Sequence, residues 1–189
     1  MTPLALTPPA LEPVSLDEAR AFLRLDQTHE DELLTTLITA ARLMIEAASG
    51  RMLIEQGWRI VLDAWPRDGA IRLPLSPVAS IEGARVYDGD GLAQTVAEDA
   101  LYLDVTADPP LIRLAAAVSQ VGRRLAAIEI DVVAGYGAEP EDVPALLRHA
   151  VLQLAARWFE QRGDIAGRDA SALPPEILAL VAPFRRARL

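Results

Sequence analysis

The two histidines are the side chains whose chemistry would be easiest to detect from their spacing. His29 and His149 stand far apart, and neither has a second histidine four residues away, the arrangement that binds zinc on one helix face. Cysteine is absent from the sequence, which excludes thiolate metal ligands, disulfides and cysteine nucleophiles. His149 adjoins an apolar helical stripe and is more typical of a packing or interface residue than of a general base.

An aspartate-rich turn resembles the start of a calcium-binding loop, with Asp88, Asp90 and Asp99 as candidate ligands. Such a loop needs an oxygen ligand at its fifth position and glycine at its sixth, where this chain has Leu92 and Ala93. The run Asp-Gly-Asp-Gly is instead typical of a β-hairpin turn. We therefore favour a hairpin over a calcium site.

The remaining carboxylates and hydroxyls form no recognisable catalytic pattern. Four aspartates could act as acid–base pairs, but their spacing does not require it, and solvated turn residues are the default. These are Asp63, Asp68, Asp104 and Asp108. Four serines lack the Gly-x-Ser-x-Gly elbow of serine hydrolases. These are Ser76, Ser80, Ser119 and Ser171. The sequence predicts no catalytic residue, no cofactor and no metal.

The Gly135-Tyr136-Gly137 segment follows an alternating strand and precedes an amphipathic helix. A phosphate-binding loop would continue with a third glycine or with Gly-Lys-Ser, and this segment does neither. The two glycines are instead expected to let the backbone turn sharply out of the strand. We interpret the segment as a structural joint.

The charge of the chain is acidic and unevenly distributed. All 18 basic residues are arginine, and the net charge is −9 with a pI near 4.7. Residues 1–147 hold 11 arginines and 23 acidic residues, whereas residues 148–189 hold 7 arginines and 4 acidic residues. DNA-binding domains are usually basic, so sequence-specific DNA binding is disfavoured.

Targeting and membrane signals are also missing from the sequence pattern. The first 13 residues contain no basic residue, and no apolar run approaches the roughly 20 residues that span a membrane. We therefore expect neither a signal peptide nor a transit peptide, no membrane partner, and a soluble protein made inside the cell.

Residues 1–14 are predicted to form an extended arm, because their prolines block helix and regular strand pairing. These are Pro3, Pro8, Pro9 and Pro13. Two interpretations stay open, namely a disordered tail or an arm that lies over a neighbouring subunit.

Helical periodicity predicts two N-terminal helices within residues 15–55. Ser15 and Glu18 have the spacing of a capping box, in which each side chain bonds a free N–H of the first turn. Thr28 is the expected N-cap of the second helix, and Gly50 is its expected C-terminal stop.

Residues 56–137 change to the two-residue period of short strands. The predicted strands are 57–65, 70–73, 79–87, 92–96, 101–104, 112–114 and 126–133. Residues 138–189 return to helix and end in a basic tail, with Asp142 as the expected N-cap of a long helix over 143–159. The expected fold class is α+β, in which the N- and C-terminal helices form a helical bundle and the small antiparallel β domain is inserted between them.

The order of several short segments resembles the head–tail connector family, also called adaptor or head-completion proteins, of long-tailed phages and phage-like gene transfer agents. The N-terminal matching segments are Pro13-Val14-Ser15-Leu16-Asp17-Glu18-Ala19, Leu23-Arg24-Leu25-Asp26, Asp31-Glu32, Ile38-Thr39-Ala40-Ala41-Arg42, Ile45-Glu46 and Ser49-Gly50-Arg51. The later ones are Trp58, Leu62-Asp63, Ile71-Arg72-Leu73-Pro74, Pro77-Val78, Ala134-Gly135-Tyr136-Gly137, Val143-Pro144-Ala145-Leu146, Trp158-Phe159-Glu160, Leu173-Pro174 and Pro183-Phe184-Arg185. The resemblance covers nearly the whole chain.

The resemblance implies a structural, non-enzymatic protein in the neck of a virion or gene-transfer-agent particle, made in the bacterial cytoplasm. Such proteins form a ring, usually dodecameric, beneath the portal and extend the DNA channel. The implied partners are the portal protein, a stopper or tail-completion protein, further copies of the chain, and DNA that passes without sequence-specific binding. We expect an acidic channel wall. Lysine and arginine are the residues that bind phosphate, so an acidic wall would let DNA slide through.

The resemblance also suggests where the partners bind. The basic end is the hypothetical portal-binding segment, and a solvated tail is the alternative. Its residues are Phe184, Arg185, Arg186, Arg188 and Leu189. The hypothetical contacts between subunits are Arg148, Arg157 and Glu160 on the long C-terminal helix.

Three other functions compete with the adaptor hypothesis. A different neck or tail-completion protein would be mostly β, which the terminal helices argue against. A small particle-associated enzyme would need a nucleophile–base or metal grouping. A ligand-binding module unrelated to phages would form no ring with a portal.

Overall fold

The computed structural model describes residues 1–115, 118, 121–161 and 173–185. The chain folds into two compact units, between which it passes three times. The β unit comprises Met1–Ala10 and Glu55–Tyr136, and the helical unit comprises Leu11–Ile54 and Gly137–Leu189. The structure therefore has the α+β class expected from the sequence.

The β unit contains two antiparallel sheets. The larger has the strand order β1-β2-β8-β4-β5, and the smaller has the order β3-β7-β6. The strands are β1 (Thr2–Thr7), β2 (Gln56–Leu62), β3 (Ala70–Arg72), β4 (Val78–Tyr87), β5 (Ala93–Thr95), β6 (Leu101–Asp104), β7 (Leu111–Leu114) and β8 (Ile128–Ala134). Seven of these eight match the short strands predicted from the two-residue period.

Alternation along the central strand β8 explains how the larger sheet forms one core face. Ile128, Ile130 and Val132 are at most 1% exposed, whereas Glu129 and Asp131 between them point to the opposite face. Strand β8 is flanked by β2 and β4, so its apolar side chains lie at the centre of the core. The opposite face is left to polar and charged residues.

The prediction that prolines exclude regular pairing at the N-terminus is wrong for Thr2–Thr7. This segment forms β1 and pairs antiparallel with β2, with Pro3 opposite Ile60 and an irregularity between Ala5 and Thr7. Strand β1 lies at the edge of the sheet, where one side of the strand needs no partner. Proline is tolerated there because its missing N–H removes no ladder bond.

The described residues of the helical unit form four α-helices. Helix α2 packs against α3, and α3 also contacts α1 and α4. The helices are α1 (Leu16–Leu23), α2 (Asp31–Ser49), α3 (Ala145–Glu160) and α4 (Pro175–Val181). Their buried residues include Leu34, Ile38, Ile45, Leu147, Val151, Leu154, Ile177 and Val181.

The helix ends confirm two of the capping predictions. The Glu18 backbone N–H donates to the Ser15 hydroxyl at 3.1 Å, and the Ser15 N–H donates to the Glu18 carboxylate at 2.8 Å. Gly50 ends α2 in the left-handed region, with φ 71°, where glycine carries no steric penalty.

Two capping predictions are wrong. Helix α2 begins at Asp31 after Glu30, so Thr28 is not its N-cap; the Thr28 carbonyl accepts a bond from Asp31 instead. Helix α3 begins at Ala145 after Pro144. Asp142 lies in a preceding 3₁₀ turn, where its carboxylate accepts the Glu139 N–H at 3.1 Å. In both cases a turn precedes the helix, and it uses the backbone carbonyl of Thr28 and the carboxylate of Asp142, respectively.

A charged cluster is buried inside the helical unit. Arg42 and Glu46 of α2 are each 5% exposed, and the Arg42 Nη1–H donates to Glu46 at 3.0 Å. The Arg42 Nε–H donates to Glu12 at 2.7 Å, and the Glu46 carboxylate accepts the Leu53 N–H at 2.9 Å. The hydroxyl of Thr39 also donates to Glu12. The cluster therefore holds two chain segments against α2, one on each side of it in sequence.

The Gly-Tyr-Gly joint is held by close contacts at its second glycine. Gly137 forms an isolated parallel bridge with Ile54, and a Cβ at this position would overlap the Asp142 side chain, including its Cβ atom. A flexible side-chain end could move away, but the Asp142 Cβ is fixed to the backbone. Gly137 is therefore required by close approach.

We predict that Gly137→Ala lowers the free energy of unfolding by about 1–3 kcal/mol, because the added methyl group overlaps Asp142. Urea denaturation followed by circular dichroism measures the change. Gly83→Ala in β4 is the control, since a Cβ there meets nothing within 4 Å and should leave stability unchanged or slightly higher. Equal stability of the Gly137 variant and the wild type would contradict the prediction.

Candidate interaction surfaces

The histidines do not form a catalytic or metal-binding group. His149 is exposed on α3, and its Nε2 lies 2.7 Å from the side-chain nitrogen of Gln153. The His29 Nε2 lies 4.0 Å from the Glu30 carboxylate at the surface. Within the described ranges, no group of three or more histidine, aspartate or glutamate side chains is placed to hold a metal ion.

The aspartate at the start of the β4–β5 turn accepts hydrogen bonds from the backbone of that turn. The Asp88 carboxylate accepts the backbone N–H groups of Asp90 and Leu92 at 3.0 and 2.9 Å. Tyr87 and Ala93 pair on either side, so the hairpin interpretation is confirmed. This is the usual way in which aspartate stabilises a turn.

Asp104 and Asp68 act in the same way. The Asp104 carboxylate accepts the hydroxyl and the N–H of Thr106, and these bonds lower the pKa of Asp104. Hydrogen bonds from Arg72 and from the Ala70 N–H lower the pKa of Asp68. Carboxylates with lowered pKa values stay ionised and are poor general acids. Ser119 and Ser171, two of the serines that lack the hydrolase elbow, lie outside the described residues.

A four-residue ion-pair network covers the polar face of the larger sheet. Arg59 of β2 donates to Asp131 of β8 through Nε at 2.6 Å and Nη2 at 2.9 Å, and Arg85 of β4 donates to the same carboxylate at 2.8 Å. One Glu129 oxygen lies 3.3 Å from each arginine as an ion pair, although it forms no well-aligned hydrogen bond. These side chains join three neighbouring strands.

The network shifts the ionisation of its members. The Arg59 hydrogen bond outweighs partial burial and lowers the pKa of Asp131, and Arg85 adds to the effect. The Asp131 hydrogen bond in turn raises the pKa of Arg59. Sequence reasoning missed this network. The only available signal was that Arg59, Glu129 and Asp131 occupy polar positions of alternating strands, and the strand order needed to bring them together is not readable from spacing.

The predicted subunit-contact arginines make bonds within their own chain. The Arg148 Nε–H donates to the Pro13 carbonyl at 3.0 Å, and its Nη2–H donates to Glu18 at 2.6 Å. The Arg157 Nη1–H donates to Glu176 of α4 at 2.6 Å. These bonds tie α1 and α4 to α3. Glu160 is exposed at the end of α3.

Two shallow grooves accompany these residues in the helical unit. One, of about 200 Å³, is lined by Arg148 and His149 beside Val14 and Glu18. The other, of about 300 Å³, is lined by polar side chains together with Phe22, Ala156 and Ile177. The polar ones are Gln153, Arg157, Glu160, Gln161 and Glu176. Both grooves are open, unlike the enclosed apolar pockets that bind small molecules.

Only part of the hypothetical portal-binding segment is described. The Phe184 carbonyl accepts the Arg51 Nε–H at 3.0 Å, and Arg185 is exposed. Arg186, Arg188 and Leu189 lie outside the described residues. Among the helices that the structure describes, none is long and apolar enough to cross a membrane.

We predict that Asp131→Asn destabilises the fold by about 1–3 kcal/mol at pH 7, because it removes the acceptor shared by Arg59 and Arg85. The lowered pKa means that this stabilisation is fully present above the ordinary aspartate value of 3.8 and is lost as the pH falls through the folded-state value. The difference from wild type should therefore shrink in strong acid.

Urea denaturation at several pH values measures this difference. Asp90→Asn in the exposed β4–β5 turn is the control and should change stability by less than about 0.5 kcal/mol. A constant wild-type-minus-Asp131→Asn difference down to pH 2 would contradict the assigned role of the carboxylate.

Comparison with known proteins agrees with the family expected from the sequence. The model of the phage gp6-like head-tail connector protein family matches residues 13–88. No curated protein matches the chain. Solved structures of gene transfer agent particles, in contrast, match it over its whole length.

Three of these structures are similar in both sequence and fold. A chain in the neck of an empty gene transfer agent particle, computed with C6 symmetry, is 30% identical with a TM-score of 0.85. A chain in the virion of a native particle is 31% identical with a TM-score of 0.83, and one in a native neck computed with C12 symmetry is 28% identical with a TM-score of 0.82. Each match covers 100% of this chain and 97% of the other. This protein therefore belongs to the phage gp6-like head–tail connector family.

Proposed function

We propose that this protein is a structural adaptor in the neck of a virion or gene-transfer-agent particle. It forms a ring under the portal, extends the DNA channel and connects the head to the tail or stopper. The observation that carries the proposal is the full-length similarity to chains of gene transfer agent necks, at about 30% identity and TM-scores above 0.8. Partial similarity would support only a shared fold, whereas here both units are matched together.

The chemistry of the described residues supports a structural role rather than an enzymatic one. Asp68, Asp88 and Asp104 accept hydrogen bonds from backbone groups of their own turns, and the two grooves described in the helical unit are shallow and open. An assembly protein needs stable surfaces instead of a reactive group. The neck-adaptor assignment also accounts for terminal helices that a mostly β stopper protein would lack.

A ring requires two different surfaces on each subunit, because a cyclic contact joins unlike patches. In the proposed assembly the four helices act as one bundle that offers these surfaces. Arg148, Arg157 and Glu160 remain proposed contacts between subunits. Since Arg148 and Arg157 already bind Glu18 and Glu176 of their own chain, a neighbour would have to add to these pairs rather than replace them.

The proposed channel wall is acidic, in keeping with the net charge of −9. Phosphate binds proteins through lysine and arginine, so an acidic wall lets DNA pass without being held. The arginines Arg59 and Arg85 are consistent with this proposal, because both are neutralised by carboxylates on the same sheet.

Co-expression of the full chain with its cognate portal protein tests the proposed function. Negative-stain electron microscopy should show a ring of copies attached to the portal, with the twelve-fold symmetry used for the similar native neck. A chain that neither binds the portal nor forms a ring in its presence would contradict the adaptor proposal.

The basic end is proposed to bind an acidic surface of the portal. Removal of residues 185–189 should reduce portal capture by about tenfold or more, because it removes three arginines that can pair with carboxylates. The truncation keeps Phe184, whose carbonyl binds Arg51, so the folded unit should retain its stability.

A matched control removes the same charge elsewhere. The variant Arg67→Gln, Arg113→Gln and Arg124→Gln neutralises three exposed arginines of the β unit and should leave capture nearly unchanged. Pull-down on immobilised portal measures both proteins. Undiminished capture of the truncated chain would mean that the basic end is a solvated tail.

A further inference from the structure

The outward face of α2 has an unusual distribution of charge. After Glu32 the helix contains only two charged residues, Arg42 and Glu46, and both are 5% exposed. The charged side chains of this helix thus point inward, toward Glu12, while its solvent side carries none beyond the first turn. A surface helix normally has the opposite arrangement, with charged residues facing water.

A continuous stripe of uncharged residues occupies that outward side. Its members recur at intervals of three and four residues, which is the spacing of one helix face. We call it the outer stripe; it consists of Leu33, Thr36, Leu37, Ala40, Leu43, Met44 and Ala47. Over these fifteen positions a helix rises about 21 Å. Leu33 is 40% exposed and Leu43 is 54% exposed.

Helix α3, the other long helix of the unit, has a different solvent side, which carries Arg148, Arg157 and Glu160. A long uncharged stripe that includes exposed leucines is the kind of surface that proteins use for association. The outer stripe therefore has the composition of a contact surface.

We propose that the outer stripe contacts a neighbouring copy of this chain in the assembled ring. The inference rests on the proposed adaptor function. The similar neck structures were computed with C6 and C12 symmetry, in which each copy of a chain has like neighbours. Contacts between identical subunits are more apolar than other interfaces and are depleted of charge, which is the character of the stripe.

The chemistry of the other available partners fits less well. DNA is held by lysine and arginine, and the stripe has neither. A charged partner is oriented by opposite charges on the surface that it binds. The outer stripe has no charged residue, and the nearest exposed charges on the helix are Asp31 and Glu32 in its first turn. A contact with the portal or the stopper protein is the alternative that the experiment must separate from a contact between copies.

Crosslinking from the stripe identifies its partner directly. The chain has no cysteine, so Leu43→Cys provides a single attachment site for a benzophenone maleimide. Neck assemblies are prepared on the portal from an equal mixture of ¹⁴N- and ¹⁵N-labelled chains and irradiated. Mass spectrometry should find crosslinked peptide pairs that combine light and heavy copies of this chain. Crosslinks to portal or stopper peptides alone, or none at all in assembled rings, would overturn the proposal.

A charge-introducing variant gives an independent measurement. Leu43→Glu should lower the fraction of portal-bound chain in complete rings by about tenfold or more, because a carboxylate would be buried in the contact. Leu92→Glu is the control, since Leu92 is 66% exposed in the β4–β5 turn. Circular dichroism establishes that both variants fold. Complete rings formed by the Leu43 variant would count against the proposal, whereas failure of the wild type to bind the portal would count against the adaptor function itself.

Discussion

The buried pairing of Arg42 with Glu46 and Glu12 is the interaction on which the helical unit depends. Two buried charges are costly unless each finds an opposite charge and further hydrogen bonds. Here Glu12 approaches α2 from before α1, and the Glu46 carboxylate receives the Leu53 N–H from after α2. The same group of hydrogen bonds therefore fixes helix α2, the segment before α1 and the segment after α2. Loss of any member removes at least one of these hydrogen bonds from the interior of the unit.

The two units place their charged side chains differently. In the larger sheet, the period of two puts isoleucines on one face and Glu129 and Asp131 on the other, so the ion pairs lie partly buried on the polar face and link adjacent strands. In α2 the ion pair lies inside, whereas Leu33 and Leu43 lie outside. The first arrangement is complete within one chain. The second leaves apolar area exposed, which is consistent with a chain whose final environment includes other chains.

Much of the fold follows from local sequence rules. The capping box at Ser15, the left-handed stop at Gly50 and the hairpin at Asp88 each depend on neighbours within four residues, and all three are confirmed. Strand β1 was mispredicted because its pairing with β2 depends on a segment about fifty residues away. The helix starts at Asp31 and Ala145 were displaced because Thr28 and Asp142 serve preceding turns.

The candidate surfaces were less predictable, for a related reason. Composition and order of segments were sufficient for the family, but not for the partners of individual arginines. Arg148 and Arg157 are only partly exposed, and each binds a carboxylate of α1 or α4 of the same chain. The inward direction of Arg42 likewise depends on Glu12, thirty residues earlier, and no periodic pattern reports it.

The N-terminal segment limits where the chain can be shortened. The family match begins at residue 13, which would suggest Pro13 as a natural start for a shortened protein. A chain trimmed there would lose the edge strand that covers β2 and, in the same cut, the carboxylate that neutralises Arg42. One short stretch thus serves as an anchor in both units. Boundaries drawn from family matches alone would divide a segment that the fold uses as a single piece.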